Sequence, residues 1–387
     1  MSDLAQLAAD GLAAIRRAHE AVVAPLLPAG YRLWDVHAHL GSDADGTSQT
    51  WQELVVRMDA HGIERTNVFT FARDDLAGFR EANDLVLEAA QASEGRLVPY
   101  ARTHPEPGDE AELRRAIGRG ARGVKLHPLR GRFGFDDPGV ERAVRVAHEH
   151  RVPVLLHSGR GVDPYAATVA SLMRRYPGAP LILAHCAMSD LHDVAERTAG
   201  LPNMVLDTSL WNPLEVQVLV SEVSPERLVY GTDAPYYDPF SVLAKLVLPL
   251  RRGGASDALV RAALYDTPAL IARGEPLAEL SAPLDAGVGR VPVGCLRAHE
   301  YLQQATVQVW LKERDVIGVL PLARRALDSV RHPWAAVAAD LLDLAAATWP
   351  VEVAHAPRDE ILACSWTTFK LIDFADVIAI NTPLEMP

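Results

Sequence analysis

The chain opens with apolar residues at helical spacing: Leu4, Leu7, Leu12, Ile15, Val22 and Leu26. This predicts an amphipathic helix over residues 4–27, ended by Pro28-Ala29-Gly30. A different rhythm follows. Short continuous apolar runs alternate with amphipathic stretches. The runs are Leu33–His37, Thr66–Phe71, Arg96–Ala101, Gly123–Leu126, Val152–His157, Pro180–His185, Met204–Asp207 and Leu228–Tyr230. Continuous runs, unlike alternating ones, fit strands buried on both faces.

The stretches between the runs carry helix punctuation. Asp137-Pro138 and Asp163-Pro164 place an N-cap before a proline of the first turn, and Ser189-Asp190 and Asp109 are further N-caps. Gly62, Gly95, Gly120 and Gly178 stand where helices should stop. Eight strand-then-helix units in roughly 250 residues is the arithmetic of a (β/α)8 TIM barrel of the α/β class. A doubly wound open sheet is the structural alternative, but no glycine-rich phosphate loop follows the first run.

After Ala272 the rhythm stops. Residues 275–293 read as loop, 295–349 as several Ala/Leu-rich helices, and Phe374–Ile380 as a strand. The expected organisation is an N-terminal helix over residues 1–30, a barrel over 31–274 and a mainly α-helical C-terminal extension over 282–387. A helix as greasy as Ala335–Ala347 must be buried, so the extension should pack on the barrel or on a second subunit. The second option would make the protein a homo-oligomer.

Composition narrows the function. Of 387 residues, 49% are hydrophobic and 23% charged, which is ordinary globular usage and excludes disorder or a coiled-coil rod. The net charge of −12 argues against a nucleic-acid partner, which needs a basic face. No apolar run approaches the roughly 18 residues of a membrane span, and Asp3, Asp10, His19 and Glu20 spoil the faint resemblance of the N-terminus to a cleaved signal. Three scattered cysteines, Cys186, Cys295 and Cys364, outline no disulfide framework, so a cytoplasmic location is expected.

The chemistry gathers at the ends of the runs. In Asp35-Val36-His37-Ala38-His39 the two histidines are two residues apart on a predicted strand and therefore share a face. Two imidazoles on one face are a ready pair of ligands for zinc or a similar metal. His157 ends the fifth run, His185 the sixth, and Asp233 follows the eighth in Tyr230-Gly231-Thr232-Asp233. A buried polar group placed there by accident would cost free energy unless paired. Five such groups on four strand ends point to a shared metal site.

As a set, these residues resemble the amidohydrolase superfamily. The strings Asp35–Leu40, Gly123–Pro128, Leu155–Gly159, Ala184–Cys186 and Tyr230–Pro235 look most like its amidohydrolase-related branch, which includes decarboxylases similar to aminocarboxymuconate semialdehyde decarboxylase. The resemblance covers roughly residues 30–273; the last hundred residues resemble no recognised family. It implies that His37, His39, His157 and Asp233 bind one divalent metal, most simply Zn2+, with Asp233 also the catalytic base. His185 would contact the activated water or the substrate. Lys125, in Lys125-Leu126-His127-Pro128, resembles the lysine that is carbamylated in binuclear relatives. In that case Lys125 and His185 are the second-metal ligands and two ions are held.

Cations follow several runs: Arg73, Arg102, Arg130 and Arg160, with His127 on the same strand parity as Lys125. In an acidic chain they suggest a small anionic substrate, since arginine suits bidentate carboxylate binding. Trp211 and Tyr236 would add an apolar wall with polar tips, together with Asn212 and Tyr237. The leading reading is a metal-dependent hydrolase acting on an amide, lactone or related bond. Non-oxidative decarboxylation on the same site is the alternative, and a non-catalytic barrel serving as a binding or scaffold protein is a third.

Overall fold

The structure is a computed structural model. It describes residues 2–43, 46–71, 79–104, 106, 109–159, 164–188, 190–209, 212–311, 318–354, 356 and 365–383. Its strands are β1 Leu33–Ser42, β2 Ser48–Gln49, β3 Ile63–Thr70, β4 Leu97–Arg102 and β5 Gly123–Leu126, followed by β6 Val154–Leu156, β7 Leu181–Leu183, β8 Met204–Asp207 and β9 Leu228–Val229. They hydrogen-bond in the order β2-β1-β3-β4-β5-β6-β7-β8-β9. All pairs are parallel except β1 with the two-residue β2, which the sequence reading did not anticipate.

Backbone bonds close the ring. Val36 N donates to Tyr230 O at 3.0 Å and His39 N to Ala234 O at 2.9 Å, beside a parallel bridge between Ala38 and Ala234. The result is a TIM barrel whose runs are apolar throughout for a simple reason. Val36, Phe69, Val98, Leu155, Ile182, Val205 and Val229 fill the inner core, and their neighbours Val68, Val154, Leu156, Leu181 and Leu206 meet the helices outside.

The helices around the strands are α2 Trp51–His61, α3 Arg80–Ala92, α4 Asp109–Gly118, α5 Pro128–Gly131, α6 Pro138–His150, α7 Ala166–Arg175, α8 Leu191–Arg197, α9 Pro213–Glu222, α10 Pro239–Arg252, α11 Asp257–Arg261 and α12 Thr267–Ala272, preceded by α1 Ser2–Val22. Most of the expected punctuation is in place. Thr50 and Glu53 form a capping box on α2, Gly62 ends it in the left-handed region at φ 67°, and Asp137 caps α6. Asp190 differs: its carboxylate accepts the backbone N–H groups of Tyr165 and Ala166, so it caps the start of α7 and not its own helix. Asp163 and Ser189 lie outside the described residues.

The extension comprises α13 Val293–Trp310, α14 Leu320–Asp328, α15 Pro333–Val353 and α16 Trp366–Asn381. The expected strand at Phe374–Ile380 is therefore helix. Every residue from Leu371 to Asn381 is buried, so no polar face marks the helical period. The extension is tied to the barrel by buried polar contacts. Lys245 Nζ of α10 lies 3.1 Å from Asp373 Oδ1, and Gln217 Nε2 of α9 donates to Ile380 O at 2.7 Å. A Cβ added to Gly11 of α1 would lie 2.6 Å from Thr367 Cγ2, so a larger residue there would have to push the Thr367 side chain aside. Among the described residues no helix is long and apolar enough to cross a membrane.

Candidate functional site

The carboxyl ends of the strands converge on one cluster. His37 and His39 leave β1 on the same side, with their Nε2 atoms 3.3 Å apart. Asp233 follows β9, and its Oδ1 lies 3.1 Å from His37 Nε2 and 3.0 Å from His39 Nε2. His185 stands on a single turn after β7. Its Nε2 is 3.2 Å from Nδ1 of His157, which follows β6. His37, His185 and Asp233 each offer a ligand atom within 4.8 Å of the others.

The backbone that presents two of these groups is unusual. His185, Cys186, Ala187 and Asp233 all have positive φ, at 57°, 53°, 59° and 51°. This left-handed region is costly for residues with a Cβ. It turns the chain sharply at the strand end, so His185 points into the mouth while Cys186 is buried with its Sγ donating to Asp207 O. Burial pushes the Cys186 thiol well above its usual pKa, which leaves it inert.

Two carboxylates brace the cluster, and both were missed from sequence as site residues. Asp207 ends β8, and its Oδ2 is 2.7 Å from Nδ1 of His37. Its other oxygen accepts from Ser209, whose Oγ is 3.0 Å from Nδ1 of His185. The signal was available, since Asp207 ends an apolar run just as His157 does. Asp35 accepts from His37 N at 3.0 Å and Thr232 N at 2.9 Å, joining the strand that carries the histidines to the loop that carries Asp233.

Electrostatics set the protonation states. Burial drives His39 down to about 4 against the pull of Asp233, and drives His157 and His127 well below their usual value; His185 is lowered for the same reason. Burial would raise Asp233, but the facing His37 and His39 hold it well below the carboxylate range. Asp207 falls to about 2 because His37 outweighs its burial. Among the histidines of the cluster only His37 is raised: burial and Lys125 oppose its charge, but Asp233 and Asp207 prevail. Apart from His37, the site pairs lowered imidazoles with the ionised Asp233 and Asp207, the states that metal binding requires. The site also draws a positive charge to the point between His37 and Asp233. A tetrahedral shell with bonds of about 2.1 Å has ligand atoms about 3.4 Å apart, close to the spacings here.

These groups line a cavity of about 200 Å³ that includes His39, His127, His157, His185 and Asp233. Asp43, Phe71, Arg130, Tyr236 and Trp310 line it as well. His127 stacks on His157 with ring centroids 3.8 Å apart. Tyr236 donates its hydroxyl to Asp43 at 2.8 Å, and Arg130 reaches the same carboxylate at 3.3 Å. A larger cavity of about 600 Å³ opens at the opposite end of the barrel, beside Trp34, Arg65 and Tyr265, and holds none of the histidines.

Several other residues singled out from the sequence do not line this cavity. Arg102 is buried behind the cavity wall, where its guanidinium donates to Thr70 O and burial lowers it to about 10. Lys125 is fully buried with no hydrogen-bond partner among the described residues, its Nζ 4.3 Å from the centroid of the Phe69 ring. Burial, only partly offset by Asp233, brings it to about 7. Asn212 caps α9, and Tyr237 packs against Phe369 of the extension. Arg73, Arg160 and Trp211 lie outside the described residues.

The sequence model of the family described as Amidohydrolase matches residues 34–271, more than half of the chain. The chain belongs to this family. The match ends before the extension, which that model does not cover. No curated protein matches the chain. Solved structures resemble part of the chain. One is described as a probable 2-pyrone-4,6-dicarboxylic acid hydrolase of Acinetobacter baumannii with citric acid bound: 16% identity, 62% of this chain and 99% of that chain covered, TM-score 0.49. Another is 5-carboxyvanillate decarboxylase of Sphingomonas paucimobilis: 17% identity, 63% and 99% covered, TM-score 0.47.

Proposed function

We propose that this amidohydrolase is a metal-dependent hydrolase that adds water across an amide, lactone or related bond of a small anionic substrate. The observation that carries the reading is the convergence of His39, His157, His185 and Asp233 on one cavity, with the ionised Asp233 against the imidazoles of His37 and His39. His37, His39, His157 and Asp233 would hold one divalent ion, most simply zinc. When bound, such an ion lowers the pKa of water from about 15.7 to about 7 and polarises a substrate oxygen.

The remaining work falls to the chain. Asp207 fixes the His37 ring by accepting from Nδ1, which leaves Nε2 free to act as a ligand. Asp233 Oδ1, kept ionised, takes a proton from the attacking water and returns it to the leaving group. His185, braced at Nδ1 by Ser209, presents Nε2 to the substrate or the water. Arg130 in the cavity lining supplies the charge that selects an anion. Lys125, near neutrality at physiological pH, is the residue whose carbamylation would recruit a second ion.

Metal analysis of the purified protein and of a His37→Ala, His39→Ala double variant tests the site. Close to one ion in the first and almost none in the second is expected, and full retention by the double variant would sink the assignment. Turnover in ¹⁸O-water tests the reaction. Label entering the organic product supports hydrolysis, whereas carbon dioxide release with no label in the organic product would replace it with decarboxylation.

A further inference from the structure

The extension lies beyond the family match, yet Trp310 at the end of α13 lines the same cavity as His39, His185 and Asp233. An unbroken series of ring contacts joins it to the site. His39 stacks on Phe71 with centroids 4.7 Å apart and interplanar angle 10°, and Phe71 meets Tyr236 edge-on at 6.0 Å. Tyr236 lies 6.1 Å from Trp310 and 5.2 Å from Trp366 of α16. Behind them, Trp310, Trp366 and the buried Phe369 contact one another at 5.6 to 5.9 Å.

We infer that the extension completes the substrate pocket, and that Trp310 is a specificity-determining residue that presents its indole to a flat, unsaturated part of the substrate. The inference rests on the reading that this cavity binds the substrate. Three observations support it. Beside the polar groups the cavity is lined by aromatic rings, Phe71 and Tyr236 from the barrel and Trp310 from the extension. Trp310 is held from behind by two rings of α16, so it is a fixed surface rather than a loose side chain. Its position is set by buried polar ties between α13 and α16: His299 Nδ1 lies 2.8 Å from Asp376 Oδ1, and Gln303 Nε2 donates to Asp376 Oδ2 at 2.7 Å. An aromatic ring favours offset or edge contact with another π-system over a puckered ring of similar size.

The test compares two dianions in titration calorimetry with the full-length protein: benzene-1,3-dicarboxylate and its saturated counterpart cyclohexane-1,3-dicarboxylate. The wild type should favour the flat probe. Trp310→Ala should weaken the flat probe about three- to tenfold, the range of a single aromatic contact, and change the saturated one less than twofold. Trp310→Phe should keep most of the affinity while losing the tryptophan quenching that the flat probe causes in the wild type. Equal loss for both probes, no loss for either, or no binding of either probe to the wild type would overturn the inference. Metal content is read on the same samples. A wild type without metal that still discriminates at Trp310 would sink the proposed hydrolase and leave the pocket wall standing. A metal-loaded wild type indifferent to Trp310→Ala would do the reverse.

Discussion

Asp207 and His37 face each other across β8 and β1, Oδ2 to Nδ1, at 2.7 Å, and both side chains are almost wholly buried. A carboxylate on the far nitrogen of a ligand histidine fixes its tautomer and raises its basicity. Asp207→Asn should therefore weaken metal affinity by about 10- to 100-fold in competition with a chelator. An unchanged affinity would mean that the pair serves folding alone.

His185 separates two architectures of the same site. If it contacts substrate or water without binding the metal, His185→Ala should lose activity by at least about 100-fold, the scale of an acid–base or oxyanion contact, and keep its metal. Metal content falling in step with activity would make His185 a ligand and favour two ions.

Arg130 lines the cavity, held half-exposed against Asp43. Arg130→Gln should raise KM for an anionic substrate by roughly tenfold, the scale of one charge-assisted hydrogen bond, and leave kcat within about twofold. A neutral analogue losing as much as the anionic one would show that Arg130 only shapes the loop.

The His299–Asp376 pair gives the extension a pH dependence. Burial lowers the His299 pKa, but the charge of Asp376 and its hydrogen bond outweigh burial and raise it above the usual 6.5. A raised histidine stabilises the fold fully below its unfolded pKa, and that contribution is lost as pH rises through the folded value. His299→Gln should thus lower Tm by on the order of 2–4 °C at pH 5.5 and by less at pH 9. A Tm difference that is constant across this range would remove the charge from the explanation.

Truncation after Ser281 should give aggregated or insoluble protein. Every residue from Pro239 to Leu250 of α10 is buried, and Lys245 would lose Asp373. Exposing that helix leaves a large apolar face, and a buried ion pair broken by losing one partner costs about 3–5 kcal/mol. A soluble, monomeric barrel that retains full activity would show the extension to be an independent appendage.

The strands were legible because barrel strands are buried on both faces and read as apolar runs whose ends fall close to β1 and β3–β9. The histidines and Asp233 were legible because polar residues at the ends of such runs stand out. Asp207 carries the same mark but reads equally well as the last residue of a strand. Trp310 had no local signal. Its place at the mouth depends on the packing of α13 against α16, contacts between residues far apart in sequence. The last helix was misread because a segment buried on all sides has no polar stripe to reveal a period of 3.6 rather than 2.

On the proposed function, the left-handed backbone at His185 and Asp233 sets heat resistance against chemistry in this chain. Each such residue with a Cβ costs roughly 1–2 kcal/mol that glycine would not pay. Selection for thermal stability alone would therefore drift toward glycine or asparagine at positions 185 and 233, and the barrel would grow sturdier as its mouth fell silent. Positions where a stabilising substitution abolishes turnover would mark the working residues of this protein, even before its substrate is known.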